Sequence, residues 1–135
     1  MVKITELKEG DIVKVLNAGE EKLGTVVGIS REENMANINN GVQEFWYSPE
    51  DIVPIPLTEE QLVNTFGFEK EETAEGMKYK KGPFRLVIHD PGNSTNLDLW
   101  HREDRRHFNH PLYVHELQNL YYDMTKVYLE GVLTH

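Results

Sequence analysis

The pattern of apolar and polar positions divides the chain into two halves. Residues 1–56 contain short runs of β-branched and aromatic side chains separated by glycine and asparagine, which predicts short strands and tight turns. The predicted strands are residues 11–16, 22–30, 35–38, 42–47 and 52–55. Asn40 and Gly41 separate the third strand from the fourth, and this pair predicts a hairpin because both residues tolerate positive φ.

A single helical turn is predicted between the fourth and fifth strands. Ser48 is expected to cap its amino end, and Pro49 suits its first position. Four strands, one helical turn and a fifth strand follow the order of an SH3-like barrel. Alternate side chains must fill so small a barrel, so Trp46 or its neighbours are expected in the core. The alternative is an exposed aromatic ledge for a peptide or a base.

Residues 57–135 predict a second module that begins and ends with a helix. Thr58 and Gln61 form a capping box, and Gly67 marks the end of the first helix. An antiparallel meander follows, with predicted strands at residues 68–71, 77–80, 84–89 and 97–100 and a turn at residues 90–93. The meander has one apolar face, which predicts a helix packed against it.

The longest helical signal in the chain begins near Pro111 and ends at Met124. Its apolar residues recur at helical spacing and are Val114, Leu117, Leu120, Tyr121 and Met124, whereas Glu116, Gln118, Asn119 and Asp123 are predicted to face outward. The predicted fold class is therefore α+β. An N-terminal SH3-like β-barrel (residues 1–56) packs against a C-terminal α-β-meander-α module (residues 57–135).

Composition restricts the class of function. The 135 residues are 39% hydrophobic and 27% charged, which is typical of a globular protein. A net charge of −9 makes duplex nucleic acid a poor partner. The absence of cysteine excludes disulfides, thiolate metal sites and cysteine nucleophiles. Neither a signal peptide nor an apolar run long enough to cross a membrane is recognised, so a cytoplasmic protein is expected.

Five of the six histidines lie between residues 89 and 115. They are His89, His101, His107, His110 and His115, and acidic residues are interspersed among them. Imidazole and carboxylate groups bind zinc, manganese or iron, and metal-assisted hydrolysis needs three such ligands and an open position. The spacing matches no metal-binding motif, and no cofactor is predicted. The alternative is a histidine-rich surface loop and one helix histidine, His115, bonded to its neighbours.

Residues 100–109 are predicted to form a charged loop and are the locally basic and aromatic part of the chain. They include Trp100, His101, Arg102, Arg105, Arg106 and His107. Arginine binds phosphate or carboxylate, and aromatic faces stack on flat rings, so this loop is the predicted site for a protein partner or a small phosphorylated ligand. Tyr122, predicted to be exposed beside Tyr121, is added to this site. Alternatively, Glu103 and Asp104 neutralise the arginines and the loop is a solvated connection.

Several segments resemble one family. They are residues 46–48 (WYS), 54–60 (PIPLTEE), 67–70 (GFEK), 79–82 (YKKG) and 113–121 (YVHELQNLY). The string is similar to that of small uncharacterised proteins of gut Bacteroidetes, their phages and other mobile elements, and it covers most of the chain. The resemblance implies a genomic setting but no known reaction. The chain differs from the pattern in residues 100–109, which are longer and more charged, and at Lys126, where the family has a turn glycine.

Three functions are compatible with the sequence. The first is a non-enzymatic binding protein of phage or mobile-element origin that modulates a host protein, such as a defence system, or sequesters a small phosphorylated ligand. This hypothesis rests on the genomic setting that the resemblance implies. The second is a His/Asp metal-dependent hydrolase acting at residues 89–115. The third is a structural or assembly component that works through oligomerisation.

Overall fold

The computed structural model describes residues 2–90 and 93–132, and within them the chain forms two antiparallel five-stranded sheets. The first sheet contains β1 (Ile12–Asn17), β2 (Glu20–Ser30), β3 (Met35–Asn39), β4 (Glu44–Tyr47) and β5 (Ile52–Val53). The second contains β6 (Glu69–Thr73), β7 (Gly76–Lys81), β8 (Phe84–Asp90), β9 (Asn93–His101) and β10 (Asp104–Phe108). Helix α1 (Val114–Thr125) follows, and short helical turns lie at Ile4–Glu6, Pro49–Asp51 and Gln61–Thr65. No helix among these residues is long and apolar enough to cross a membrane.

The first sheet is open, so the predicted SH3-like barrel is wrong. Its strand order is β4-β3-β2-β1-β5, which places β4 and β5 at opposite edges. Strand β5 pairs with β1 through Lys14–Val53 and Val15–Ile52. The positions of the strands follow from local sequence, whereas closure depends on the register and tilt of strands that are distant in the chain. Alternation of apolar residues therefore did not distinguish an open sheet from a barrel.

The second half also differs from the predicted α-β-meander-α module, and the fold is mostly β rather than α+β. The segment predicted as its first helix is a single π-helical turn, in which the Phe66 N–H donates to the Gln61 C=O at 3.0 Å. The Gln61 side chain accepts the Thr58 N–H as the capping box requires, but the helix stops at Thr65. Pro91 and Gly92, in the predicted turn at residues 90–93, lie outside the described residues.

The predicted loop at residues 100–109 is instead a hairpin that adds the fifth strand. Strand β10 pairs antiparallel with β9 from Asp104–His101 to Phe108–Leu97. Arg102 adopts a φ of 56° in the tight turn between them. Glycine and asparagine usually occupy such positions, and the sequence here contains neither. The turn therefore gave no sequence signal.

The apolar residues form two cores that meet near β1. The first lies on one face of the first sheet and includes Val13, Val15, Val26 and Ile38. The second lies between the second sheet and α1 and includes Leu62, Phe84, Leu86, Leu99 and Leu117. Ile12 and Ile55, from the first half, are buried in the second core. The two halves therefore share apolar contacts.

Gln118, which the helical pattern predicts to face outward, is buried and connects the two halves. Its Oε1 accepts the Ile12 N–H at 2.8 Å. Its Nε2 donates to the Gly10 C=O at 2.9 Å and to the Leu129 C=O at 3.0 Å. One amide side chain thus satisfies three backbone groups between β1, α1 and the residues after α1.

Helix α1 ends at Lys126, whose backbone is left-handed with a φ of 63°. Its N–H donates to the Tyr122 C=O at 2.7 Å. Glycine adopts this conformation without strain and is common at helix ends. Lys126 therefore adopts a backbone conformation that glycine would adopt without strain.

Candidate functional site

The second sheet has a polar face directed away from α1. Alternation along the strands places Leu86 and Leu99 in the core and leaves Arg85 and Trp100 on the other face. Strand pairing arranges this face in two rows. One row contains Arg105, Trp100, Arg85, Lys80 and Glu69, and the next contains His107, Asp98, Val87, Lys78 and Glu71. We call these two rows, together with His89, the cationic face.

Asp98 is the buried centre of the cationic face. Its carboxylate lies 2.7 Å from His89 Nε2, 2.8 Å from His107 Nδ1 and 2.9 Å from Arg105 Nη2. Burial acts to raise the pKa of Asp98, but these three hydrogen bonds outweigh it and lower the pKa to about 2. The hydrogen bond to Asp98 in turn raises the pKa of His89. The cluster therefore holds an ionised carboxylate surrounded by donors.

His89 is fully hydrogen-bonded only in its protonated form. Its Nε2 faces the Asp98 carboxylate, and its Nδ1 lies 3.1 Å from the Glu75 C=O. Both partners are acceptors, so both ring nitrogens must carry a proton to satisfy them. This geometry favours the protonated ring and agrees with the raised pKa of His89.

Two arginines flank Trp100. The guanidinium carbon of Arg85 lies 4.5 Å from the centre of the indole, and that of Arg105 lies 5.3 Å from it. Arg85 has no ion pair and no side-chain hydrogen bond within the described part of the chain, and its Nε is buried without a partner. A guanidinium that is held in place but has no acceptor is unusual, because buried polar groups are normally hydrogen-bonded.

The cationic face carries positive charge although the chain as a whole is acidic. Its four cations are Lys78, Lys80, Arg85 and Arg105, and its three anions are Glu69, Glu71 and Asp98, which gives +4 − 3 = +1 before His89 is counted. The whole chain has a net charge of −9. Glu71 lies 3.9 Å from both lysines, and such exposed pairs are weak. The face therefore differs in sign from the rest of the molecule.

The residues of the predicted site do not form one group. Trp100, Arg105 and His107 meet on the cationic face. His101 and Arg102 lie on the other side of the sheet and line a cavity of about 430 Å³. The remaining walls of that cavity are Pro83, Phe84, Tyr121, Met124, Thr125 and Val127.

Arg106 and Tyr122 belong to neither place. Arg106 pairs with Asp104 at 3.1 Å. Tyr122 stacks on Tyr128 with ring centres 4.4 Å apart, and Lys8 lies 5.2 Å from the Tyr122 ring. The predicted seven-residue site is thus spread over four surroundings, because adjacent residues of β9 and β10 point to opposite faces of the sheet and Tyr122 lies on α1.

Sequence reasoning missed Arg85 and Lys80. They come before the predicted segment in the chain, and the pairing of β7, β8 and β9 brings them beside Trp100. The alternation of Phe84, Arg85 and Leu86 was the available signal, since a strand with one apolar face must present its polar residues together.

The five histidines do not converge on a metal site. His89 and His107 share Asp98, His101 lines the 430 Å³ cavity, and His110 lies edge-on to Phe108. His115 is buried, and its Nε2 lies 3.5 Å from Glu6 Oε2, although neither ring nitrogen makes a hydrogen bond within the described residues. No group of three or more potential ligands is close enough to hold a metal ion in residues 2–90 and 93–132. The hydrolase hypothesis therefore has no assembled site there.

A second cavity, of about 280 Å³, lies where β1 meets α1. Its walls include Lys8, Asp11, Asn119 and Tyr128. Burial raises the pKa of Asp11 to about 7. The Lys8 N–H and Asn119 Nδ2 donate hydrogen bonds to its carboxyl group at 2.9 and 3.1 Å, which lower the pKa but do not offset the effect of burial. Asp11 is therefore a carboxyl group that resists ionisation.

Asp11→Asn is expected to stabilise the protein at alkaline pH. The pKa of Asp11 is raised from 3.8 to about 7 on folding, so its stabilising contribution is complete below pH 3.8 and is lost as pH rises through 7. Asparagine keeps the acceptor for both hydrogen bonds without the charge. At pH 8 the expected gain in the free energy of unfolding is about 2–4 kcal/mol, measured by urea denaturation.

The control is Asp123→Asn, which removes an exposed carboxylate from α1. It is expected to change the free energy of unfolding by less than about 0.5 kcal/mol at both pH 4 and pH 8. The advantage of Asp11→Asn should disappear at pH 4. An equal advantage at pH 4 and pH 8 would contradict the raised pKa of Asp11.

Comparison of the chain with protein-family models, characterised proteins and solved structures finds no match. The resemblance to proteins of Bacteroidetes and their mobile elements therefore stays a prediction, as does the genomic setting it implies. Function has to be inferred from the geometry of the cationic face and the two cavities.

Proposed function

We propose that this is a non-enzymatic binding protein whose cationic face binds an acidic surface of a partner protein. The observation that carries the proposal is the Arg85 guanidinium, which stacks on Trp100 and has no acceptor among the described residues. Arginine suits carboxylates because its N–H donors match them in pairs. The indole fixes the direction of the guanidinium in advance, which lowers the entropy lost on binding.

Arg105 supports the same function. Its Nη2 donates to Asp98, and its side chain is 57% exposed, which leaves its other donors accessible. Asp98 positions Arg105 rather than neutralising the whole face, since Lys80 and Arg85 lie across the sheet in the same row. Three cations at strand spacing can contact several carboxylates at once.

The shape of the face favours a protein over a small molecule. The face is the surface of a sheet, whereas the cavities of about 280 and 430 Å³ lie elsewhere. Small molecules usually bind in concave sites, whereas protein surfaces bind to flat ones. A host protein as the partner rests on the family resemblance, and a cytoplasmic location is the expectation from the sequence; both form part of this proposal.

Trp100 provides a direct measurement of binding. The chain has two tryptophans, so Trp46→Phe leaves Trp100 as the sole indole. In that background, a decapeptide of alternating Asp and Glu is expected to change the fluorescence and to bind more weakly as salt rises. Arg85→Met keeps an apolar stem on the indole but removes the guanidinium, so it is expected to weaken binding about tenfold.

The matched control is Arg106→Met. Arg106 lies on β10 beside Arg105 but is directed to the other side of the sheet and pairs with Asp104. Its replacement is expected to change the affinity less than about twofold. If both variants lose affinity equally, or if the parent protein does not bind the peptide at low salt, the cationic face is not the binding site.

The cavity beside His101 and Arg102 favours a second candidate, the binding of a small phosphorylated ligand. The walls are largely apolar, and Arg102 is exposed at the hairpin turn. Such a site suits a ligand with an apolar body and one phosphate. Titration with phenyl phosphate distinguishes the candidates, because only this second site predicts a shift of the His101 imidazole NMR signals that Arg102→Met removes.

A further inference from the structure

Strand β4 forms one edge of the first sheet and exposes apolar side chains. Trp46 is 49% exposed, Phe45 is 45% exposed and Val42, just before the strand, is 78% exposed. Of Trp46 and its neighbours, which were expected in the core, Tyr47 is buried, whereas Trp46 and Phe45 are exposed. Edge strands usually avoid this combination, because an open edge with apolar residues pairs readily with another chain.

The open edge presents backbone groups at regular spacing. In the hairpin, the Asn40 N–H donates to the Gln43 C=O at 3.1 Å. Hydrogen-bonded pairs alternate along an antiparallel ladder, so Phe45 and Tyr47 direct their backbone groups to β3. The N–H and C=O groups of Glu44 and Trp46 then point away from the sheet. A further strand could therefore form backbone hydrogen bonds with these groups.

Aromatic side chains flank the open edge on both faces of the sheet. Trp46 is paired with Asn37, and the end of its indole lies 4.0 Å from where a Cβ of Gly28 would be. The indole thus lies across the outer face of the sheet. Phe45 lies on the opposite face, edge-on to Tyr47, with ring centres 6.4 Å apart. A segment beside β4 would contact an indole on one face and a phenyl ring on the other.

Charge identifies the occupant of this edge. Residues 1–56 contain twice as many acidic as basic residues. Glu44 lies on β4 itself, and Glu33, in the turn between β2 and β3, lies at the Tyr47 end of the hairpin because Ser30 pairs with Met35. Lysine or arginine in an added strand would pair with Glu44, and arginine would stack on Trp46.

We propose that the edge of β4 binds an extended, basic segment of a partner protein as an added strand. This surface is separate from the cationic face and selects the opposite charge. A second copy of the chain fits less well, because each copy carries a net charge of −9 and a four-residue edge buries far less area than a stable dimer requires.

The first test uses the full chain and a synthetic nine-residue peptide in which Lys or Arg alternates with Val. Amide NMR signals of Glu44 and Trp46 are expected to shift and to exchange with solvent more slowly when the peptide is added. Trp46→Ala is expected to weaken binding about tenfold. Tyr128→Ala removes an aromatic residue that is 59% exposed elsewhere and is expected to leave the affinity within about twofold. The same peptide with Glu in place of Lys and Arg should not bind.

The second test separates backbone pairing from charge. Glu44→Ala removes the carboxylate but keeps the outward N–H, whereas Glu44→Pro also removes that N–H without removing a bond to β3. Glu44→Pro is therefore expected to weaken binding more than Glu44→Ala. If Glu44→Pro does not fold, peptides methylated at alternate amides test the same backbone bonds on the unaltered chain.

Three results would overturn the strand addition. One is peptide-induced shifts confined to residues outside β4. A second requires two peptides, one methylated at the odd-numbered amides and the other at the even-numbered amides. Strand addition is overturned if both bind as tightly as the unmethylated peptide. The third is a dimer of the free protein that Trp46→Ala dissociates, which would assign the edge to a second copy.

Discussion

Gln118→Leu is expected to lower the free energy of unfolding by about 3–5 kcal/mol, although leucine has nearly the same size and suits a helix. The glutamine amide satisfies the Ile12 N–H, the Gly10 C=O and the Leu129 C=O. Leucine would leave all three backbone groups without a partner near the joint of the two halves. Each unsatisfied buried group costs about 1–3 kcal/mol, and the added apolar side chain offsets part of the sum.

The loss should be measured by urea denaturation together with hydrogen exchange. The Ile12 amide should exchange faster in Gln118→Leu than in the unaltered protein, since its bond to Oε1 is gone. Asp123→Leu, on the exposed side of the same helix, is the control and should change the free energy of unfolding by less than about 0.5 kcal/mol. Unchanged protection of Ile12 would show that Gln118 does not hold β1 to α1.

Gln118 also shows where sequence reasoning stops. A polar residue in an amphipathic helix is normally solvated, so the pattern predicts an outward side chain. Its true environment depends on Ile12, which lies 106 residues away in the chain. Local periodicity contains no information about such a partner, and the connection between the halves could not be predicted from it.

The positions of the strands in the sequence were more predictable than the way in which the strands pair into sheets. The hairpin at Asn40-Gly41 is confirmed, because β3 and β4 pair on either side of it and Gly41 has a φ of 94°. The hairpin at Arg102 was missed. Arg102 has a positive φ in the structure, but an arginine in the sequence does not indicate such a turn. Neither signal shows that the first sheet stays open, since closure is set by β4 and β5, which do not pair.

The site residues within the segment 100–109 were predictable from the sequence, whereas the residue that a neighbouring strand contributes was not. Trp100 and Arg105 were selected for their chemistry, and they do lie together. Arg85 completes the group through the pairing of β8 with β9, which the sequence does not specify. Asp98 is one of the acidic residues interspersed among the histidines, which the sequence suggested as metal ligands, whereas in the structure His89 and His107 form hydrogen bonds with its oxygens.

Asp98→Asn is expected to lower the free energy of unfolding by about 2–4 kcal/mol. Removing one partner of a buried ionic cluster costs about 3–5 kcal/mol, and exposure of Arg105 and His107 to water reduces that cost. The asparagine NH₂ group would face donors, because His89, His107 and Arg105 all point at the carboxylate. Urea denaturation at pH 6 gives the difference directly. Asp104→Asn, an exposed carboxylate on β10, is the control and should change stability by less than about 1 kcal/mol.

The pH dependence of the same variant tests the cause. The pKa of Asp98 falls from 3.8 to about 2 on folding, so its contribution is present above pH 3.8 and is lost as pH falls toward 2. The pKa of His89 is raised, so its contribution is complete below pH 6.5 and is lost as pH rises through the folded-state pKa. The stability difference between the unaltered protein and Asp98→Asn should therefore be largest between pH 4 and 6.5 and smaller on both sides. A difference that is constant from pH 3 to pH 9 would mean that Asp98 acts through packing, and that its charge does not organise the cationic face.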